Sequence, residues 1–165
     1  LGDEAAVSAL AERVRERYGR VDGVLHLVGG WRGGGGLAGQ TEEDYRFLEN
    51  AFTALRHVSR AFDDDLRASA SARTALVSST AVARPLAGGA HYPAVKAASE
   101  AWMRAVAQGF AKAARDADEP LRAAAVVFRV KALEGLEDTL ATSYAGLWDQ
   151  APDAVNDAVI PLAGN

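Results

Sequence analysis

The chain has 165 residues, 49% apolar and 24% charged, with a formal net charge of −4, enough for one globular domain with a real core. It has no cysteine, which excludes disulfides, thiolate catalysis and cysteine zinc sites; the histidines His26, His57 and His91 are too scattered to suggest a metal site, and no metal is expected. No basic cluster tracks a nucleic-acid backbone, no apolar run nears the roughly 20 residues that span a bilayer, and the start Leu1-Gly2-Asp3-Glu4 has no signal-peptide character, so a cytoplasmic protein without nucleic-acid or membrane partners is the default expectation.

Asp3 can cap a first helix running to about Tyr18, with Val7, Leu10, Val14 and Tyr18 on one face and Gly19 as its stop. Val21 to Val28 is short and apolar, ends at Gly29-Gly30, and reads as a buried strand of a parallel sheet. A glycine-rich loop follows from Gly29 to Gly39, with Trp31 and Arg32 inside it. Thr41 opens the next helix, with Asp44 three residues on in a capping-box pattern. Leu48, Phe52, Leu55, Val58 and Phe62 form its apolar stripe, and Asp63-Asp64-Asp65 reads as its solvated, fraying end. Thr74 to Ser79 is a second strand. A loop with Pro85 and Gly88-Gly89 leads to Tyr92-Pro93, and Pro93 fits the first turn of a long helix to about Asp116. Leu121 to Val130 is a third strand, Asp138 to Trp148 a helix, and Ala158 to Leu162 a last strand. Helices alternating with buried strands predict an α/β fold, a doubly wound and mostly parallel sheet, in one domain over residues 1–165.

The chemistry concentrates after the second strand. Tyr92 and Lys96 stand four apart at a helix start, which puts both on one face, one turn apart. An ammonium held near a phenol favours the phenolate, and a tyrosine so tuned can serve as a general acid or base. Ser79 ends the preceding strand, where parallel α/β sheets bind ligands, and a hydroxyl there can bind a carbonyl oxygen. A Tyr-x-x-x-Lys pair alone is more often structural; its place 13 residues beyond Ser79, opening a helix, is what gives it weight.

Leu76-Val77-Ser78-Ser79 followed by Tyr92-Pro93-Ala94-Val95-Lys96-Ala97-Ala98 resembles the active-site region of short-chain dehydrogenases/reductases. Tyr18 to Leu25 resembles the segment leading into that family's fourth strand, and Thr41 to Phe62 its long interface helix. The resemblance covers most of residues 3 to 130 and implies a Rossmann-like three-layer αβα domain. It implies hydride transfer between NAD or NADP and a small-molecule carbonyl/alcohol substrate. Tyr92 would be proton donor or acceptor. Lys96 would hold the nicotinamide ribose and lower the tyrosine pKa, and Ser79 would position the substrate. Gly29 and Gly30, after the fourth-strand equivalent, join Tyr92 and Lys96 as expected cofactor contacts. A homodimer or homotetramer is implied, with the helices Thr41–Phe62 and Pro93–Asp116 packing across subunits.

The pattern also departs from the family. No glycine-rich strand–turn–helix unit precedes Asp3, so the chain is expected to be an N-terminally truncated, catalytic half, with Val24 to Val28 lacking its usual strand neighbour. Activity is therefore expected of the parent protein rather than of these residues alone. Asn-Asn-Ala-Gly is replaced by Leu27-Val28-Gly29-Gly30, and the usual Pro-Gly turn by Lys131-Ala132. The asparagine of the family's proton relay aligns with Ala51, which leaves Asn50, one residue away, as its candidate stand-in. These departures keep open an alternative, a non-catalytic binding or scaffold protein that has lost the cofactor. His91 and Trp31 are candidate substrate contacts or plain loop residues. His26 reads as a satisfied core histidine, and Trp102 and Met103 as packing or subunit contacts.

Overall fold

The computed structural model describes residues 1–163 as a four-stranded, all-parallel sheet with helices on both faces. In chain order the elements are α1 (Glu4–Tyr18), β1 (Gly23–His26), α2 (Glu42–Ala61), α3 (Asp63–Ala68), β2 (Ala72–Ser79), α4 (His91–Asp116), β3 (Ala123–Val130), α5 (Glu137–Ala145), α6 (Pro152–Val155) and β4 (Val159–Pro161). The sheet order is β1-β2-β3-β4, which leaves β1 and β4 at the edges. Leu25 of β1 pairs with Ala75, and Ser79 at the end of β2 pairs with Val130.

Side-chain alternation on the two inner strands builds two cores. Ala72 and Leu76 join Ala123, Ala125 and Val127 against Leu55, Leu66, Met103, Ala107 and Phe110 of α2, α3 and α4. Ala75 and Val77 join Ala124, Val126, Phe128 and Val130 against Leu140, Leu147 and Val155, which come from α5, α6 and the turn between them. All of β2 is buried, and only Arg129 of β3 is not, as expected of strands covered on both faces. These are the three layers of the predicted doubly wound α/β fold.

The caps follow the sequence. Asp3 accepts from Ala6 N at 2.6 Å, and the Thr41 hydroxyl accepts from Asp44 N at 3.1 Å. The ends of several elements differ. The first strand is shorter than Val21 to Val28, because Leu27 and Val28 leave the sheet and stand exposed. The acidic run is not a fraying end. It opens α3, and Asp65 is buried against α1, where its Oδ2 accepts from Arg15 Nε at 2.8 Å and Nη2 at 2.6 Å. The helix expected over Asp138 to Trp148 ends at Ala145, and a tighter turn carries Leu147 into the core.

A fully buried arginine fixes that turn. Arg73 donates to the carbonyls of Leu147 and Gln150, both at 2.8 Å, and to Ala72 and Arg122. It has no carboxylate partner among the described residues, and burial pulls its pKa below the ordinary arginine value.

Candidate active site

Ser79 is the last residue of β2 and is 3% exposed. Its hydroxyl oxygen accepts from Ala81 N at 3.1 Å. That bond uses a lone pair and leaves the O–H able to donate. Tyr92 stands in the first turn of α4, and Ser79 and Tyr92 line one cleft of about 890 Å³ at the C-terminal ends of the strands. Pro93, Thr80, Ala81, Lys131 and Ala132 complete its floor and walls, and Trp31, Arg84 and Leu86 stand around it.

Lys96 follows one turn along α4. Its Nζ donates to the carbonyl of Val77 at 2.8 Å and lies 5.9 Å from the centre of the Tyr92 ring. Burial pulls the Lys96 pKa below the ordinary lysine value, and the charge of Glu100 restores part of it. One bond to Val77 leaves two ammonium protons for other acceptors. Gly29 sits directly beside this nitrogen, where an added Cβ would lie 3.4 Å from Nζ. Gly30 instead lies on Phe47, whose ring would stand 2.8 Å from an added Cβ.

One more turn along α4 places Glu100, 3% exposed, behind the cleft. Its carboxylate accepts from Ser78 Oγ at 2.6 Å, and from Arg129 Nε at 2.9 Å and Nη2 at 2.5 Å. Burial alone would raise the Glu100 pKa, but Arg129 and Ser78 outweigh it and hold the carboxyl below its ordinary value. Lys96 and Glu100 thus tie α4 to the ends of β2 and β3 at two successive turns, so the ring of Tyr92 stands on a helix whose rotation is fixed.

His26 closes the site from the β1 side. It is 5% exposed, and its Nε2 donates to the carbonyl of Ala51 at 3.2 Å. Burial, with help from the Lys96 charge, pulls its pKa below the ordinary histidine value of 6.5. The stability gained by keeping the ring neutral is therefore full above 6.5 and is lost as pH falls from there toward the lower folded value. Thermal unfolding is expected to show a midpoint that drops between pH 7 and 5.5, and His26→Gln, whose amide N–H can replace the ring N–H as donor, should flatten that drop. Equal slopes for the two proteins would remove His26 from the balance.

The remaining sequence candidates separate. Asn50 is exposed and enters none of these contacts. It is the backbone carbonyl of its neighbour Ala51 that meets His26. The candidate relay stand-in Asn50 thus lies on the exposed side of α2. His91 does not line the cleft; its ring tilts against Tyr45 with centres 5.4 Å apart. Trp31 does line it, 61% exposed.

Gln40 was not singled out from the sequence, since a lone glutamine after a glycine run carries no signal. Its amide nitrogen lies at 3.0 Å from the carbonyls of Gly34 and Gly88 and at 3.2 Å from that of Gly36. It staples the glycine loop to the segment before α4, and Gly34 N adds a bond to Gly88 O at 2.6 Å. Gly33 must be glycine at this crossing, because a Cβ would meet Gly88 O at 2.5 Å. The loop is thereby held at the edge of the cleft, with Trp31 against Gly33 and Gly89.

Comparison with solved structures places this architecture among known folds. A metagenomic short-chain oxidoreductase in complex with NADP is similar, with a TM-score of 0.81, 22% identity, and coverage of 100% of this chain and 72% of that one. L-Sorbose reductase from Gluconobacter frateurii, complexed with NADPH and L-sorbose, gives 0.77 at 15% identity, covering 99% and 73%. A short chain dehydrogenase from Escherichia coli complexed with NADPH gives 0.80 at 16% identity, covering 96% and 70%. At these identities the likeness is one of fold, and the chain spans roughly seven tenths of each of those proteins. No curated protein sequence matches the chain. The family model for short chain dehydrogenase matches residues 1–114, well over half the chain and the part that holds Ser79, Tyr92 and Lys96, and on that match the chain belongs to the short-chain dehydrogenase family.

Proposed function

We propose that the protein is the catalytic half of an NAD- or NADP-dependent oxidoreductase that interconverts a carbonyl and an alcohol. The observation that carries this reading is the meeting of Ser79 and Tyr92 on one cleft, with Lys96 held one turn behind by Val77. When bound, the nicotinamide supplies or takes up the hydride. In the reducing direction the substrate carbonyl carbon gains that hydride, the C=O π bond opens, and Tyr92 gives its phenolic proton to the oxygen. Ser79 donates its hydroxyl to the same oxygen and sets the distance of the carbonyl from Tyr92. Lys96 would offer its two remaining N–H donors to a bound nicotinamide cofactor and its charge to the phenolate that Tyr92 would become. Gly29 supports that assignment, since its missing side chain leaves the ammonium approachable. In the oxidising direction each proton and the hydride run backwards.

The test is a titration of the natural full-length gene product with NADPH and NADH, followed by nicotinamide fluorescence. Saturable binding of one of them is the expected result. Absence of binding to both would overturn the oxidoreductase reading in favour of a fold kept for binding or assembly.

A further inference from the structure

The cleft has a charge of its own. Its lining includes two cations, Arg84 and Lys131, and no carboxylate, although the chain has 22 acidic residues against 18 lysines and arginines. Both cations are exposed, and neither enters an ion pair or a side-chain hydrogen bond among the described residues. Nine other cations do form ion pairs, namely Arg15, Arg20, Arg32, Arg46, Arg60, Arg67, Lys112, Arg122 and Arg129. What marks Arg84 and Lys131 is their place: both line the cleft that Ser79 and Tyr92 share, and no carboxylate lines it with them.

The lining also carries large apolar side chains, which a small polar substrate does not need. Leu86 is 77% exposed and Trp31 61% exposed, both large side chains facing open solvent at the cleft. Exposed apolar side chains gathered at a cleft mark a binding surface. Ser79 and Tyr92 supply donors for a carbonyl oxygen on the same lining. Three kinds of group thus converge: donors for a carbonyl, an apolar wall and two free cations.

We propose that the substrate is a carbonyl compound bearing both an apolar body and an anionic group, of the aryl or alkyl oxo-acid class, whose carboxylate is received by Arg84 and Lys131. This assignment rests on the oxidoreductase reading and names the substrate class of the same site. A guanidinium and an ammonium without partners offer a carboxylate an ion pair and donors for both of its oxygens, whereas its neutral ester has no charge to pair and a weaker carbonyl acceptor. The carboxylate then orients the carbonyl toward Ser79 and Tyr92, while the body lies against Trp31 and Leu86. In the reaction the carboxylate is a spectator; only the carbonyl gains hydride and proton.

The experiment uses the natural full-length gene product with its preferred nicotinamide. Benzoylformate and 2-oxohexanoate are compared with their methyl esters. The expected result is a kcat/KM for each acid at least about tenfold above that of its ester. In the double variant Arg84→Gln/Lys131→Gln that ratio falls toward one through KM, without a matching loss of NADPH or NADH affinity. Equal kcat/KM for acid and ester in the unaltered protein would overturn the proposal. So would a double variant that keeps the acid preference, or one that loses only nicotinamide affinity, which would assign the two cations to the cofactor phosphates. If neither acid nor ester is turned over although nicotinamide binds, calorimetric titration with benzoylformate decides. Binding that the double variant loses upholds the anion site, and no binding by the unaltered protein overturns it. Failure to bind any nicotinamide is a separate result and overturns the oxidoreductase reading.

Discussion

Tyr92→Phe in the natural full-length protein is expected to lower kcat by about 100- to 10,000-fold, the range that a positioned proton donor contributes. The ring is retained, so the cation–π contact with Lys96 at 5.9 Å and the packing of the first turn of α4 should survive. What is lost is one oxygen and its proton. Nicotinamide affinity, measured by fluorescence titration, should therefore stay within a few-fold of the unaltered protein. A fall in kcat with preserved affinity separates proton transfer from cofactor binding. Turnover that survives the substitution would show that another group delivers the proton.

Arg129→Met is expected to produce the largest loss of stability. The Glu100 carboxylate is 3% exposed and takes two hydrogen bonds from Arg129 and one from Ser78. Without the guanidinium a buried charge keeps only the serine hydroxyl, at a cost of about 3 kcal/mol. For a chain of this size that corresponds to a fall in Tm of roughly 6–12 °C. The pH dependence is diagnostic. In the unaltered protein the Glu100 pKa is held below its ordinary value of 4.5, so its contribution is present above 4.5 and lost as pH falls through the lower folded value. In the variant burial acts unopposed by Arg129, so Glu100 takes up a proton more readily and sheds its penalty in acid. The gap in Tm between the two proteins should narrow from pH 7 to pH 4. A gap that is absent, or constant across that range, would mean the pair does not stabilise the fold as described.

The outcome at each candidate residue follows from the range of the interaction that decides it. Element type was legible because it rests on local pattern. Short apolar runs gave the strands, side-chain caps at Asp3 and Thr41 gave helix starts, and Pro93 sits in the first turn of α4 as expected. Tyr92 and Lys96 were legible as a pair for the same reason, since four residues on a helix fix a shared face. The acidic run was misread because its partner, Arg15, lies 50 residues away on another helix; only that contact buries Asp65. Asn50 and Ala51 differ by one helical step, and that the backbone carbonyl of Ala51 meets His26 is set by the packing of α2 rather than by residue type. Arg73 is called inward by the carbonyls of Leu147 and Gln150, neither of which has any sequence signature.

The sequence by itself determined the alternation of strands and helices and the doubly wound class, because both depend on local periodicity, and it put Tyr92 and Lys96 on one helix face by their spacing, with Ser79 marked as their companion by the family resemblance. Only the tertiary structure decided that Glu100, Ser78 and Arg129 form one buried cluster, that Gln40 staples two loops at the cleft, and that Arg84 and Lys131 share it with no carboxylate. Those groups come from separate elements, and charge and hydrogen bonding act through space, on whatever the folded chain brings within reach.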